Sequence, residues 1–422
     1  MNSPLTPTGT AQLLTLLDQY VPDAFINEHW NRRPKRGPNQ SLSATQLWRL
    51  HLLAVLTTSH SFNQLVALLP EQRSWREFAR LAHRHCGPGV RMLNEFRSRV
   101  GVGGLRAIND SLRLPLIEPA AGWSHTGALI DATDLPAACC GFKEKETQRY
   151  TAHRAALGGR TLKTGQSRCF VGYKKHTLRL WWREHIAAVL LVPLVSWVAP
   201  ANVSESGFLV PSLRYCERRW SWWPQIVVAD MGYLAAEAKA ICRKCWRVAV
   251  VTKLKVNMNL VPPYVAPDRV ECHQGQPLRW LEYAPLEDRH WFGVSGEPII
   301  CQRCWEASRC GREFAFAPGD HETLLGLLPL VSLPAQRLLQ QVRPWIEPTQ
   351  SYEKNQLGLS QVFFNSLHLT WCMALLADAA VLLRAHALLQ TPIRQHHLLQ
   401  ELAPQQAFLD LHEENPPEPA VR

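Results

Sequence analysis

Gly127-Ala128-Leu129-Ile130-Asp131-Ala132-Thr133-Asp134 is the stretch on which the fold reading turns. An uncharged, mostly apolar run ends in an acid. This predicts a buried strand over Gly127–Ile130 with a carboxylate at its C-terminal end, followed by a turn. In α/β proteins, clefts form beyond the C-terminal ends of the strands. One acid so placed is common, so the reading depends on what the rest of the chain supplies. Asp134, past the predicted strand end, faces a different way and is the rival of Asp131 for the same role.

Downstream, Cys169–Leu180 and Ile186–Val198 read as two strands joined by the polar turn Arg183-Glu184-His185. Pro200-Ala201-Asn202-Val203-Ser204 breaks the pattern and starts a helix that runs to about Arg218. Gln225–Ala229 is a second apolar strand ending in an acid, Asp230, and Met231-Gly232-Tyr233 leads into a helix over Ala235–Lys244. Arg247–Thr252 is a fifth strand. A hairpin combined with βαβ-type crossovers predicts a mixed sheet flanked by helices, an α/β fold. After the first strand, and running into the second, lies a basic segment holding Lys143, Lys145, Arg149, Arg154, Arg160, Lys163, Arg168, Lys174 and Lys175 against Glu144 and Glu146. Gly158-Gly159 and Gly165 mark it as a loop, which would set cations over a cleft lined by Asp131.

Outside this alternation the chain changes character twice. Residues 1–120 read as an N-terminal helical domain with capping-box patterns at Ser43-Ala44-Thr45-Gln46 and Ser74-Trp75-Arg76-Glu77. The basic linker Asn31–Pro38 is compatible with phosphate contact, and equally with plain solvation. Residues 121–389 read as the α/β domain, interrupted at about 253–325 by a β-rich insertion. Helix resumes near Pro334 and runs to about Leu389, and 390–422 reads as a helix remnant with a Pro- and Glu-rich disordered tail.

Composition limits the partners. The chain has 422 residues and 46% hydrophobic content, enough for two or three domains with a substantial core. The formal net charge is +11, which favours a polyanionic partner, nucleic acid first. No apolar run reaches membrane-spanning length without interruption, and the start lacks a charged segment leading into an apolar core. A cytoplasmic protein with reduced thiols and no membrane partner is the expectation. Of the twelve cysteines, Cys272, Cys301, Cys304 and Cys310 have spacing compatible with a small zinc site. One C-x-x-C with scattered partners is not specific, so buried thiols rather than zinc are expected.

Asp131 and Asp230 end strands separated by one hairpin and one crossover, so neighbouring places in the sheet would point both into one cleft. Converging carboxylates suit Mg²⁺, a hard ion that prefers oxygen ligands, with Mn²⁺ able to substitute. Two such ions about 4 Å apart activate one oxygen and stabilise another in phosphoryl transfer. A third acid is sought in Arg343-Pro344-Trp345-Ile346-Glu347-Pro348-Thr349-Gln350-Ser351-Tyr352-Glu353-Lys354. At helical spacing Arg343, Glu347 and Lys354 share a face and Glu353 points away from it. Spacing alone does not separate a metal ligand from an ordinary ion pair.

Five blocks in order give this pattern a family resemblance. Leu129-Ile130-Asp131-Ala132-Thr133, Gly172-Tyr173-Lys174-Lys175-His176, Pro200-Ala201-Asn202-Val203 and Ala229-Asp230-Met231-Gly232-Tyr233 are followed by Arg343-x3-Glu347-x6-Lys354. Over roughly residues 125–385 the chain resembles DDE transposases of bacterial insertion sequences, with a Tyr-x2-Arg-x3-Glu-x6-Lys signature. The resemblance implies an RNase H-like core with Asp131, Asp230 and Glu347 as catalytic metal ligands. It also implies DNA contacts by Arg343 and Lys354, to which the basic segment adds Lys163, Arg168, Lys174 and Lys175 as candidates for the same partner. The reaction implied is cleavage at the element ends and strand transfer of the freed 3′-hydroxyl to target DNA. The implied partners are double-stranded terminal repeats and target DNA, bound by a homodimer. A nuclease without strand transfer, or a decayed DNA-binding protein, are the alternative readings. Two residues depart from the pattern. Gln340 stands where the signature has tyrosine, and Pro348 follows Glu347 directly, which leaves Glu353 open as the third acid.

Overall fold

A computed structural model describes residues 11–31, 42–57, 59, 61–83, 87–121, 126–161, 166–185, 189–254, 264–266, 269–272, 274–294, 299–302, 304, 310–360, 365–389 and 393–395. The chain opens with helices α1 (Ala11–Asp18), α2 (Asp23–Trp30), α3 (Ala44–Leu56), α4 (Phe62–Leu68), α5 (Arg73–Phe78) and α6 (Val90–Ala121). Strands β1 (Gly127–Pro136), β2 (Ala156–Thr161), β3 (Ser167–His185) and β4 (Val189–Pro200) follow. Then come α7 (Leu209–Trp220), β5 (Ile226–Ala229), α8 (Ala236–Trp246) and β6 (Ala249–Thr252). Five short strands, β7 (Tyr264–Ala266), β8 (Arg269–Glu271), β9 (Pro277–Ala284), β10 (Arg289–Val294) and β11 (Glu313–Phe316), surround the single turn α9 (Ile299–Gln302). The chain returns to helix with α10 (Leu333–Arg337), α11 (Ile346–Asn355) and α12 (Leu367–Leu388), and β12 (Ile393–Gln395) is the last described strand.

Two compact units share these elements. The first holds Met1–Ala120, Asp131–Ser204 and Ile346–Arg394, and the second Ala121–Ile130, Glu205–Trp345 and Gln395–Arg422. In the first, β3 runs antiparallel to β4 from Tyr173↔Pro200 to Glu184↔Val189, and antiparallel to β2. Arg183, Glu184 and His185, expected as a turn, therefore lie within the hairpin strands. Gly158 and Gly159, expected in a loop, lie in β2; a Cβ on Gly158 would come within 2.7 Å of the Ala201 Cβ and 3.0 Å of the Phe170 ring. The residue type that suggested a loop is there to admit a close packing partner. Gly172 plays the same part, since a Cβ there would meet the Leu135 carbonyl oxygen at 2.3 Å, where Ala137 N–H donates to the Val171 carbonyl at 3.0 Å.

The helices of the first unit form as their caps and stripes dictate. At α3, Ser43 accepts from the Gln46 N–H and Gln46 accepts from the Ser43 N–H, the full reciprocal cap. The second expected cap is not made: α5 begins at Arg73 with Gln72 before it, so Ser74 lies inside the helix. Arg49 is fully buried among apolar neighbours of α3, held by Asp18, by Asp23 at 2.8 Å and by the Phe78 carbonyl at 2.9 Å. α6 bends at Gly101, whose φ of +58° belongs to the left-handed region open to glycine. α12 is 22 residues long and largely apolar, Asp378 apart; by length and composition it could cross a bilayer, but most of it is buried within the protein. That burial identifies a core helix.

In the second unit, Gly127–Ile130 of β1 pairs in parallel with β5, and β5 with β6, all three buried. α7 leads into β5 and α8 connects β5 to β6, each helix ending in a left-handed residue, Ser221 and Arg247. Within the segment expected to be β-rich, β7 to β11 form a five-stranded antiparallel sheet in the order β11-β10-β9-β8-β7. Arg243 of α8 reaches Asp288, in the β9–β10 turn of this sheet, at 3.3 Å, and Glu322, beyond β11, at 3.0 Å. The protein is thus a mixed α/β fold with mixed parallel and antiparallel pairing.

Candidate active site

The parallel register of β1 and β5 ends at Ile130↔Ala229, and the next residues in the chain are Asp131 and Asp230. Asp230 leaves its strand as expected, preceding the short turn Met231–Tyr233. Its carboxylate lies 3.6 Å from Arg343 Nη2, with 37% of the side chain exposed. Asp131 behaves differently from expectation, because β1 continues to Pro136. Thr133 and Leu135 are buried while Ala132, Asp134 and Pro136 are not, so strand alternation outlasts the apolar run. Asp134 sits on the same strand at an odd spacing and so faces away from Asp131.

α11 supplies a residue that touches Asp131. Gln350 Nε2 donates to Asp131 Oδ2 at 3.1 Å and to the Ala132 carbonyl at 3.3 Å, while the Ala132 N–H donates to Asp131 Oδ1 at 2.8 Å. Sequence reasoning missed Gln350; its only signal was a position three residues after Glu347, on the same helical face. Ahead of α11 the chain forms a π turn over Leu338–Val342, which holds Gln340, and a 3₁₀ turn over Arg343–Trp345. Such turns accommodate Pro344, which cannot donate into a regular helix. Glu347 and Pro348 then fall in the first turn of α11, where a missing N–H has no partner to lose. Glu347 is exposed; Lys354, seven residues on, is half-buried.

Glu353 faces the opposite way and is fully buried. Its carboxylate meets Lys175 Nζ at 2.9 Å and Arg179 Nη2 at 2.8 Å, and Lys175 also reaches Asp378 of α12 at 2.7 Å. Burial alone would raise the Glu353 pKa, yet Arg179 and Lys175 together hold it below the usual carboxylate range. This corrects the expectation for Lys175. At 1% exposure, with two carboxylates on its ammonium, it is an internal counter-ion and not a phosphate contact. Lys174, next along the strand, is half-buried, and Arg168 is exposed opposite Arg160 on β2. Lys163 lies outside the described residues. His176 is completely buried, and burial first, then Lys174, pushes its pKa down to about 3. A proton acceptor of that kind has no use near neutral pH.

The remaining ligand candidates stay dispersed. Cys272, Cys301, Cys304 and Cys310 are half-buried free thiols. Among the described residues, no three His, Cys, Asp or Glu side chains form a group able to hold a metal ion. This covers the four cysteines and also the three acids as they stand.

Comparison with known proteins adds little to this geometry. No family model matches the chain, and no curated protein matches it. Among solved structures, it is similar to the piggyBac transposase in a synaptic complex with hairpin DNA, determined by cryo-electron microscopy. That similarity has a TM-score of 0.36 at 10% identity, over 96% of this chain and 80% of that one.

Proposed function

We propose that this protein is a DNA transposase with an RNase H-like core, acting by metal-dependent phosphoryl transfer with Asp131, Asp230 and Glu347 as the metal-holding carboxylates. One observation carries the reading. The Gln350–Asp131 hydrogen bond at 3.1 Å seats on β1 the helix whose first turn bears Glu347, both within one unit. Three further features support it: neighbours β4–β3–β1 in the first unit, β1–β5–β6 in the second, and a formal net charge of +11.

The donor chemistry suits the ion. Asp131, Asp230 and Glu347 are all oxygen donors and none is buried, which fits Mg²⁺ or Mn²⁺ and not a soft metal. Bound there, the metal would supply Lewis acidity and an activated oxygen nucleophile. The protein's own groups orient and hold. Ala132 N–H and Gln350 orient the Asp131 carboxylate. Arg343, beside Asp230, is placed to hold a phosphate once that carboxylate is otherwise engaged, and Lys354 lies on the Glu347 face of α11 to do the same. The partners proposed are the double-stranded ends of the element and a target duplex, bound by a homodimer in the nucleoid. Zinc has no part in this scheme.

A second reading, a DNA-binding protein without catalysis, is favoured by Arg343 occupying Asp230 and by the dispersed acids. The two separate on supercoiled plasmid carrying the DNA that flanks the coding sequence. Transposase chemistry gives Mg²⁺-dependent 3′-hydroxyl ends at the element boundary and joined products. Binding that leaves both strands intact in Mg²⁺ and in Mn²⁺ would establish the second reading instead.

A further inference from the structure

Inside the first unit, on the segment that leads from β1 into β2, the chain forms an open surface cavity of about 1190 Å³ lined by residues 143–144 and 147–157 and by Asn202. Three cations line it, Lys143, Arg149 and Arg154, against one acid, Glu144, whose carboxylate accepts from the Thr147 hydroxyl at 2.9 Å. Among the described residues, neither the Arg149 nor the Arg154 guanidinium has an ion pair or hydrogen bond. The half-buried Tyr150 ring lies 5.9 Å from Lys143 Nζ, and Leu157 is 53% exposed at the same wall.

These walls are built, not slack. Glu144 N–H donates to the Arg149 carbonyl at 2.8 Å and Gln148 N–H to the Glu144 carbonyl at 2.9 Å. His153 is pinned three times: its N–H to the Asn365 carbonyl, its carbonyl to the Leu367 N–H, and that same carbonyl to the Tyr173 hydroxyl at 2.9 Å. Gln148 and Arg154 hold positive φ angles of 54° and 61°, conformations that non-glycine residues keep only where the surroundings enforce them.

We propose that this cavity is a binding site for an unpaired DNA strand, with Arg149 and Arg154 on its phosphates and Tyr150 against a base. The choice of DNA rests on the function proposed above; the preference for a single strand rests on the cavity. Its volume exceeds the roughly 300–1,000 Å³ of small-molecule pockets, and it combines cations with an aromatic face as single-strand sites do. A duplex keeps its bases stacked inside and offers Tyr150 nothing.

Fluorescence anisotropy of a dye-labelled single strand and of the matching duplex, both in EDTA, tests this without relying on cleavage. Neutralising two phosphates contributes about 1.4 to the slope of log K against log salt for single strands. Arg149→Gln with Arg154→Gln should flatten the single-strand slope by about that much, while Arg149→Lys with Arg154→Lys preserves it. Tyr150→Ala should weaken single-strand binding about tenfold with the slope unchanged. An unchanged slope in the glutamine pair, or an equal loss on the duplex, overturns the proposal. These slopes in a protein that never cuts DNA would sink the catalytic reading and leave this one standing.

Discussion

Lys175 Nζ lies 2.9 Å from Glu353 Oε2 with neither side chain open to solvent, and this pair anchors a buried cluster in equal charge. Arg113, Lys175 and Arg179 face Asp110, Glu353 and Asp378, all within one unit. Removing one member leaves an uncompensated buried charge, which costs about 3–5 kcal/mol. Glu353→Ala should lower unfolding stability by that amount in urea, while Glu347→Ala, exposed in a helix first turn, should stay within about 0.5 kcal/mol. Equal losses would mean that the two glutamates have been assigned the wrong roles.

Acid should unfold the first unit early. His51 is fully buried, and burial first lowers its pKa from 6.5 to about 4, against smaller upward pulls from backbone carbonyls. The unfolded chain therefore takes up its proton before the folded one. Stability is intact above about pH 6.5 and declines as pH falls from there towards 4, by about 3 kcal/mol for this residue. Chemical denaturation of wild type and His51→Gln across that range should show a flatter pH response in the variant; parallel curves would remove His51 as the cause.

Arg343 pairs with Asp230 at 3.6 Å while both are partly exposed, a contact worth about 0–1 kcal/mol. Arg343→Gln should therefore barely move the unfolding midpoint. On duplex DNA it should reduce the salt slope by about 0.9 if the guanidinium neutralises one phosphate. A large loss of stability with an unchanged slope would make Arg343 structural.

Gln350→Leu removes the amide that orients Asp131, a hydrogen bond worth about 1 kcal/mol. The expected outcome is a fall of about tenfold in Mg²⁺-dependent cleavage with DNA affinity unchanged. Wild-type cleavage by this variant would show that the bond is incidental.

Much of this architecture was legible because apolar periodicity and burial coincide. β5, β6, α3, the short strands β7 to β11 and the closing helices fall where the pattern predicts them. β1 ran past Asp131 because alternate burial at Thr133 and Leu135 carried the strand beyond its apolar start. β2 was hidden by Gly158 and Gly159, which read as loop residues until the packing against Ala201 and Phe170 is known. At the site, the position of Glu347 in a first turn follows from Pro348. The inward turn of Lys175 does not, because the acids that claim it lie 178 and 203 residues away in sequence. Gln350 escaped notice for a related reason: an amide carries no charge signature.

The central claim is that Asp131, Asp230 and Glu347 hold a divalent ion. Titration of Mn²⁺ into the full chain, followed by electron paramagnetic resonance, addresses it without DNA. Wild type should bind, and Asp131→Asn, Asp230→Asn and Glu347→Gln should each weaken binding about tenfold or more, whereas the molecules of Glu353→Gln that remain folded should bind Mn²⁺ as wild type does. Mn²⁺ affinity that is indifferent to all three substitutions would contradict the account.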